Sequence, residues 1–78
     1  MVRVIFFGPI AEIIGKREIV VNANDFSTTR GIFDFICETY PKLVSHRLLY
    51  SKNQEYATGE ENIQDGDELS IFTAVSGG

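Results

Sequence analysis

In a chain of 78 residues, only one long stretch repeats its apolar residues at helical spacing. Ile32, Phe33, Ile36, Cys37 and Tyr40 recur three or four apart, while Arg30, Asp34, Glu38 and Thr39 fall elsewhere around the cylinder. That pattern is an amphipathic helix with a single apolar stripe, and the stripe has to pack on a sheet. Asn24, Asp25, Ser27, Thr28 and Thr29 form a polar cluster ahead of it, in which either Ser27 or Thr28 can serve as the N-cap. Pro41 stops the helix, because the residue before a proline avoids the helical region. Phe35 sits at the edge of the stripe, and its burial is left open by the spacing.

The remaining segments alternate. Residues 1–7, rich in β-branched and aromatic side chains, read as a strand with Val2, Val4 and Phe6 on one face and Arg3, Ile5 and Phe7 on the other. Arg3 marks the second face as the one nearer water. Gly8-Pro9 breaks the strand, and residues 10–14 make a short helical segment closed by Gly15. Residues 17–22 form a second strand, antiparallel to the first, with Ile19 and Val21 toward the core and Glu18 and Val20 away from it. After the helix, residues 42–47 read as a connector. Residues 48–51 and 55–58 read as short strands joined at Lys52-Asn53-Gln54, where Asn53 tolerates a left-handed backbone. Ile63 is a lone anchor after the polar run 59–62, and Asp65-Gly66-Asp67 is a turn. Residues 68–72 form the last strand, with Leu69 and Ile71 inward and Glu68, Ser70 and Phe72 outward. Strands around one central helix make an α+β layer. If the first and last strands lie side by side in the middle, they run parallel and end at one edge, with Phe7 near Phe72 on the face away from the helix. That arrangement is the β-grasp, ubiquitin-like fold.

Composition narrows the function classes. A chain of this length is expected to form a single small domain over residues 1–78. A net charge of −4 argues against nucleic acid, whose binders cluster Lys and Arg to replace phosphate counterions. No apolar run approaches a membrane span and no signal-peptide pattern opens the chain, so the expected compartment is cytoplasmic. Cys37 is the only cysteine and rules out an internal disulfide. His46 is the only histidine and has no second soft ligand near it in sequence, so no metal is expected. The two aspartates at 65 and 67 lack the ligand spacing of a calcium loop. Neither a nucleophile elbow nor a phosphate-binding Gly-x-x-x-x-Gly-Lys is present.

What remains is the end of the chain. Val75-Ser76-Gly77-Gly78 runs off the last strand, and its glycine pair has no Cβ to clash with a narrow channel and a high entropic cost of ordering. It reads as a flexible arm offering a bare α-carboxylate to another protein. An idle terminus is the plain alternative.

Taken in order, several segments resemble the MoaD/ThiS family of ubiquitin-like sulfur carriers, and within it the small subunits of molybdopterin synthase. They are the opening Val-Arg-Val-Ile-Phe-Phe-Gly, Ile-Ala-Glu-Ile-Ile-Gly behind it, the helix ending Glu-Thr-Tyr-Pro, the Asn53 turn before Tyr56, Asp-Gly-Asp-Glu-Leu, and the terminal Val-Ser-Gly-Gly. The similarity covers the whole chain. It departs at one place: Thr73-Ala74 stands where the family usually carries a proline pair, which implies a less rigid junction between strand and arm.

The resemblance implies a carrier that has no catalytic residue of its own and binds no cofactor. A ubiquitin-activating-like adenylyltransferase would use ATP to activate the carboxylate of Gly78, which becomes a thiocarboxylate. Val75, Ser76, Gly77 and Gly78 would then thread the active site of the large subunit of molybdopterin synthase, where the catalytic groups are expected. There the sulfur would pass to cyclic pyranopterin monophosphate to build the molybdopterin dithiolene. Phe7 and Phe72 would form the docking patch for that subunit, in a heterotetramer of two such pairs. Two alternatives share the first chemical step: a thiamine-pathway carrier, in which residues 10–15 are usually shorter, and a ubiquitin-like modifier joined to lysine. A further alternative is that residues 10–14 fold over the two phenylalanines.

Overall fold

The computed structural model describes residues 1–74. Five strands form one mixed sheet in the order β2-β1-β5-β3-β4: β1 Val2–Phe6, β2 Glu18–Val21, β3 Leu48–Lys52, β4 Glu55–Tyr56 and β5 Glu68–Thr73. β1 and β5 are parallel neighbours at the centre, with Phe6 opposite Ile71, and β2 and β3 flank them antiparallel. Helix α2, Thr29–Thr39, covers one face. This is the ubiquitin-like β-grasp architecture that the order of patterns implied.

Strand parity decides what is buried. Val2, Val4, Phe6, Leu69 and Ile71 point toward α2 and meet Ile32 and Ile36 from the helix in one buried cluster. Their neighbours Arg3, Ile5, Ser70 and Phe72 point to the open face, as a period of two requires. Burying an Ile, Leu or Val side chain contributes about 1.5–3 kcal/mol, so a slip of one residue in β1 or β5 would turn this cluster into water. Phe35, whose place the spacing left open, is 40 % exposed and packs its ring on Phe26.

Two local features differ from the sequence reading. Residues 42–47 are not a plain connector, because Pro41–Ser45 forms a 3-10 turn that drives Leu43 fully into the core. β4 is also shorter than residues 55–58: it spans Glu55–Tyr56, and Ala57 adds one more bond, from its N–H to Tyr50 O, before the chain leaves the sheet.

The start of α2 is capped in an unexpected way. Thr28 occupies the N-cap position but makes no side-chain capping bond. The helix instead donates Thr29 N–H to Glu61 O and Arg30 N–H to Gly59 O, so a distant segment satisfies its free donors. The Glu61 carboxylate holds that segment together by accepting from Thr58 N, Thr58 Oγ1, Gly59 N and the buried Thr29 Oγ1, at 2.8–3.1 Å. Hydrogen bonds from the Thr58 backbone and its neighbours hold the Glu61 carboxyl down at about 2. Gly59 has φ +108°, a backbone that strains any residue with a Cβ, and a Cβ there would also crowd Tyr50 Oη at 2.9 Å and Arg30 Cβ at 3.3 Å, so the position calls for glycine.

The Asp65-Gly66-Asp67 turn is engaged structurally. Asp65 pairs with the Met1 amino group, while Asp67 accepts from Gln64 N and Asn53 Nδ2 and faces Lys52 Nζ. Asn53 and Gln54 both carry positive φ, at 49° and 73°, as a two-residue hairpin loop of the primed type needs. Among the described residues no helix is long and apolar enough to cross a membrane.

Candidate functional site

Because β1 and β5 are parallel, they finish at the same end of the sheet. Phe7 continues β1 by donating its N–H to Ile71 O at 3.1 Å, which puts Phe7 beside Phe72 in register. Thr73 pairs with Leu48, and Ala74 donates its N–H to Arg47 O at 2.9 Å. Val75, Ser76, Gly77 and Gly78, named above as the arm, lie outside the described residues. The ladder between β3 and β5 therefore reaches the residue just before them. Ala74 N–H is a donor that proline would lack, so the Thr73-Ala74 departure adds a bond at the junction instead of merely loosening it.

Phe7 and Phe72 both face away from α2, but their rings have different surroundings. Phe7 is 51 % exposed, at the rim of an open groove of about 750 Å³ that it lines with Gly8, Ala11, Glu12, Lys16 and Arg17. Phe72 is half-buried, and its ring tilts against Tyr56 with centroids 5.9 Å apart. The short helix α1, Pro9–Ile14, does not cover Phe7: its Ile10 is fully buried in the core, and Gly15 closes it with a left-handed φ of 82° and an N–H to Ala11 O. A helix committed inward by Ile10 cannot also shield the opposite face.

Leu49 and Tyr56 join this surface, at 39 % and 75 % exposed, and the sequence reading had not placed them there. The signal was present: alternation carried through the Asn53 hairpin puts Leu49, Ser51 and Tyr56 on the face shared by Ser70 and Phe72. The other end of that face is ionic. Arg3 donates through Nε and Nη2 to Glu18 and through Nη1 to Glu68, at 2.9–3.1 Å. The open face thus divides into an ionic end near the strand starts and an aromatic end near the root of the arm.

Chemistry within the described residues is sparse. Burial and the charge of Asp34 push the Cys37 thiol up, the opposite of an activated nucleophile. No group of three His, Cys, Asp or Glu among the described residues is placed to hold a metal ion. His46 follows the 3-10 turn as an exposed cap residue, donating its N–H to Leu43 O.

Comparison with known proteins agrees with the architecture. Residues 4–78 match the model of the ThiS family. The molybdopterin synthase sulfur carrier subunit of Haemophilus influenzae is 30% identical over 82 residues, covering 100% of both chains. That of Chlamydomonas reinhardtii is 30% identical over 81 residues, covering 99% of this chain and 98% of its own. Among solved structures, SAMP1, small archaeal modifier protein 1, of Haloferax volcanii is 28% identical with a TM-score of 0.81, covering 99% of this chain and 98% of that one.

Proposed function

Because this chain belongs to the ThiS family, we propose that it is a sulfur carrier that delivers sulfur to molybdopterin synthase from the carboxyl group of Gly78. The observation that carries the reading is the full-length match to molybdopterin synthase sulfur carrier subunits at about 30% identity. The geometry supports it by setting the root of residues 75–78 beside an uncovered aromatic surface.

A carboxylate is a poor acyl donor because its leaving group would be oxide. Attack of a Gly78 carboxylate oxygen on the α-phosphorus of ATP, in an adenylyltransferase partner, expels pyrophosphate and gives an acyl adenylate. Hydrosulfide, or a donor of sulfur at the sulfide level, then attacks the carbonyl carbon, AMP leaves with its bonding electrons, and loss of the thiol proton gives a thiocarboxylate. Its sulfur attacks a carbon of cyclic pyranopterin monophosphate inside the large synthase subunit and displaces an oxygen substituent, and water then hydrolyses the resulting thioester, leaving the sulfur on the pterin and restoring the Gly78 carboxylate. The carrier's own residues have two tasks: to present an arm thin enough to thread, through Gly77 and Gly78, and to dock the partner through Phe7 and Phe72. Neither task asks for a general base, a bound cofactor or a metal.

A second reading is favoured by the similarity to small archaeal modifier protein 1. There the same acyl adenylate would pass to a lysine amine as an isopeptide bond. Intact mass of the chain purified from its own cells separates the two. A carrier shows sulfur in place of one oxygen at Gly78, and a modifier shows a covalent protein adduct. A chain with neither, in cells making the cofactor, would end the carrier reading.

A further inference from the structure

The distribution of charge in this acidic protein is uneven along the direction in which β5 runs. Three of its seven Lys and Arg side chains are paired with acids: Arg3 with Glu18 and Glu68, Arg30 with Asp34, and Lys52 with Asp67. The other four, Lys16, Arg17, Lys42 and Arg47, have no acid partner among the described residues. All four sit at the end of the sheet where β1 and β5 finish.

Topology explains why. β2 runs antiparallel to β1, and β3 antiparallel to β5, so the residues just before β2 and β3 lie at that same end. Arg17 precedes β2 and accepts Phe6 N–H on its carbonyl, whereas Arg47 precedes β3 and accepts Ala74 N–H. In the sheet order the two arginines flank the central β1–β5 pair, one on each side. Lys16 stands beside Arg17 on the groove. Lys42 lies in the 3-10 turn that follows α2, whose end meets β1 through Tyr40 and Phe6, 6.4 Å between centroids. Glu12 and Glu38 are the acids at this end outside any described ion pair, Glu18 at the start of β2 being held by Arg3, and they do not balance the four bases. The opposite end holds Asp25, Glu60, Glu61, Asp65 and Asp67, around the strand starts and the α2 start.

We propose that Lys16, Arg17, Lys42 and Arg47 form a basic collar around the root of the arm that docks on an acidic protein rim, the one surrounding the channel of the adenylyltransferase partner. The inference rests on the carrier reading above. A positive end in a net negative molecule makes a dipole along the direction of β5, and an acidic channel mouth turns the positive end toward itself while repelling the other. A collar of this kind acts on encounter and orientation, so it governs the association rate and its dependence on salt. Glu12 in the groove counts against a bound anion as the occupant.

The test is chain-dependent ATP–pyrophosphate exchange by a ubiquitin-activating-like adenylyltransferase purified from the protein's own cells, with association rates from stopped-flow mixing. Two variants are compared, each lowering net charge by two: Lys16→Gln/Arg47→Gln in the collar, and Asn24→Asp/Asn62→Asp at the far end. Circular dichroism checks that both are folded. The collar variant should associate about tenfold more slowly at low ionic strength, with a flatter salt dependence and an unchanged maximal exchange rate. The far-end variant should stay within about twofold of the parent protein. Equal rates for the two variants, or faster association by the collar variant, would overturn the collar while leaving the carrier intact. Calorimetric binding of ATP to the chain alone, lost in the collar variant, would assign the collar to nucleotide phosphate and overturn it too. If no exchange depends on the chain, the carrier reading fails and the collar fails with it.

Discussion

Truncating Phe72 to alanine separates the docking surface from the core. Phe72 and Ile71 are neighbours in β5 on opposite faces, Phe72 half-buried and Ile71 1 % exposed. A fully buried Phe→Ala change costs about 3–5 kcal/mol because the lost transfer energy is joined by a cavity. Phe72 lies on the open face, where no cavity is enclosed, so its loss removes mainly the tilted contact with Tyr56 at 5.9 Å. That pair contributes about 0.5–1.5 kcal/mol. The expected cost to folding is then about 1 kcal/mol, a fall of about 4–8 °C in Tm for a domain of this size. Binding should suffer more: losing an aromatic anchor at an interface centre commonly costs about 2 kcal/mol, or about 30-fold in Kd. Calorimetric titration against the large subunit of molybdopterin synthase measures the second quantity, and thermal unfolding the first. Ile71→Ala supplies the contrast, with about 2–5 kcal/mol lost from folding and normal binding by the folded fraction. Should Phe72→Ala melt as early as Ile71→Ala and still bind normally, the docking argument is wrong.

Other perturbations test other parts of the account. Deleting Gly78 should abolish adenylation and sulfur transfer in a reconstituted assay while leaving Tm unchanged within about 2 °C, a shift worth well under 1 kcal/mol; normal cofactor synthesis by the deletion variant would remove the carrier reading. Leu43→Ala, at a fully buried site, should destabilise by about 3 kcal/mol in urea unfolding, and a loss below about 1 kcal/mol would mean the 3-10 turn closes over the gap. For Glu61 the folded pKa of about 2 lies below its ordinary value of 4.5. Its contribution is therefore present above pH 4.5 and lost as the pH falls toward 2. Thermal unfolding across that window should show a shallower acid limb for Glu61→Gln than for the parent protein, and identical limbs would show that the carboxylate does not hold its loop.

Much of the fold could be read from residue order because its strands alternate cleanly. Val2, Val4 and Phe6 against Arg3, Ile5 and Phe7, or Leu69 and Ile71 against Ser70 and Phe72, assign faces without any long-range knowledge. Asn53 announced its hairpin through a local steric rule. What escaped depends on distance in sequence or on short periods. Leu43 lies in a single 3-10 turn after Pro41, too brief to display a repeat. Glu61 looked like one more polar loop residue, since its partner Thr29 lies 32 positions away and only the folded chain brings them together. The same holds for the basic collar: Lys16, Arg17, Lys42 and Arg47 are scattered in sequence, and strand direction alone gathers them at one end.

The bond from Ala74 N–H to Arg47 O sets a limit on reach. With Gly78 as the reacting residue, four residues separate this anchored point from the chemistry, and four fully extended residues span about 14 Å. A partner that grips the aromatic end of the sheet must therefore hold its reacting phosphorus or pterin carbon within that depth of its own surface. Inserting residues between Ala74 and Val75 would let the carbonyl overshoot a site of matching depth, and removing one would leave it short. On the carrier reading, the final bond of the β3–β5 ladder is the zero mark of a ruler, and every partner that acts on Gly78 has to work within its length.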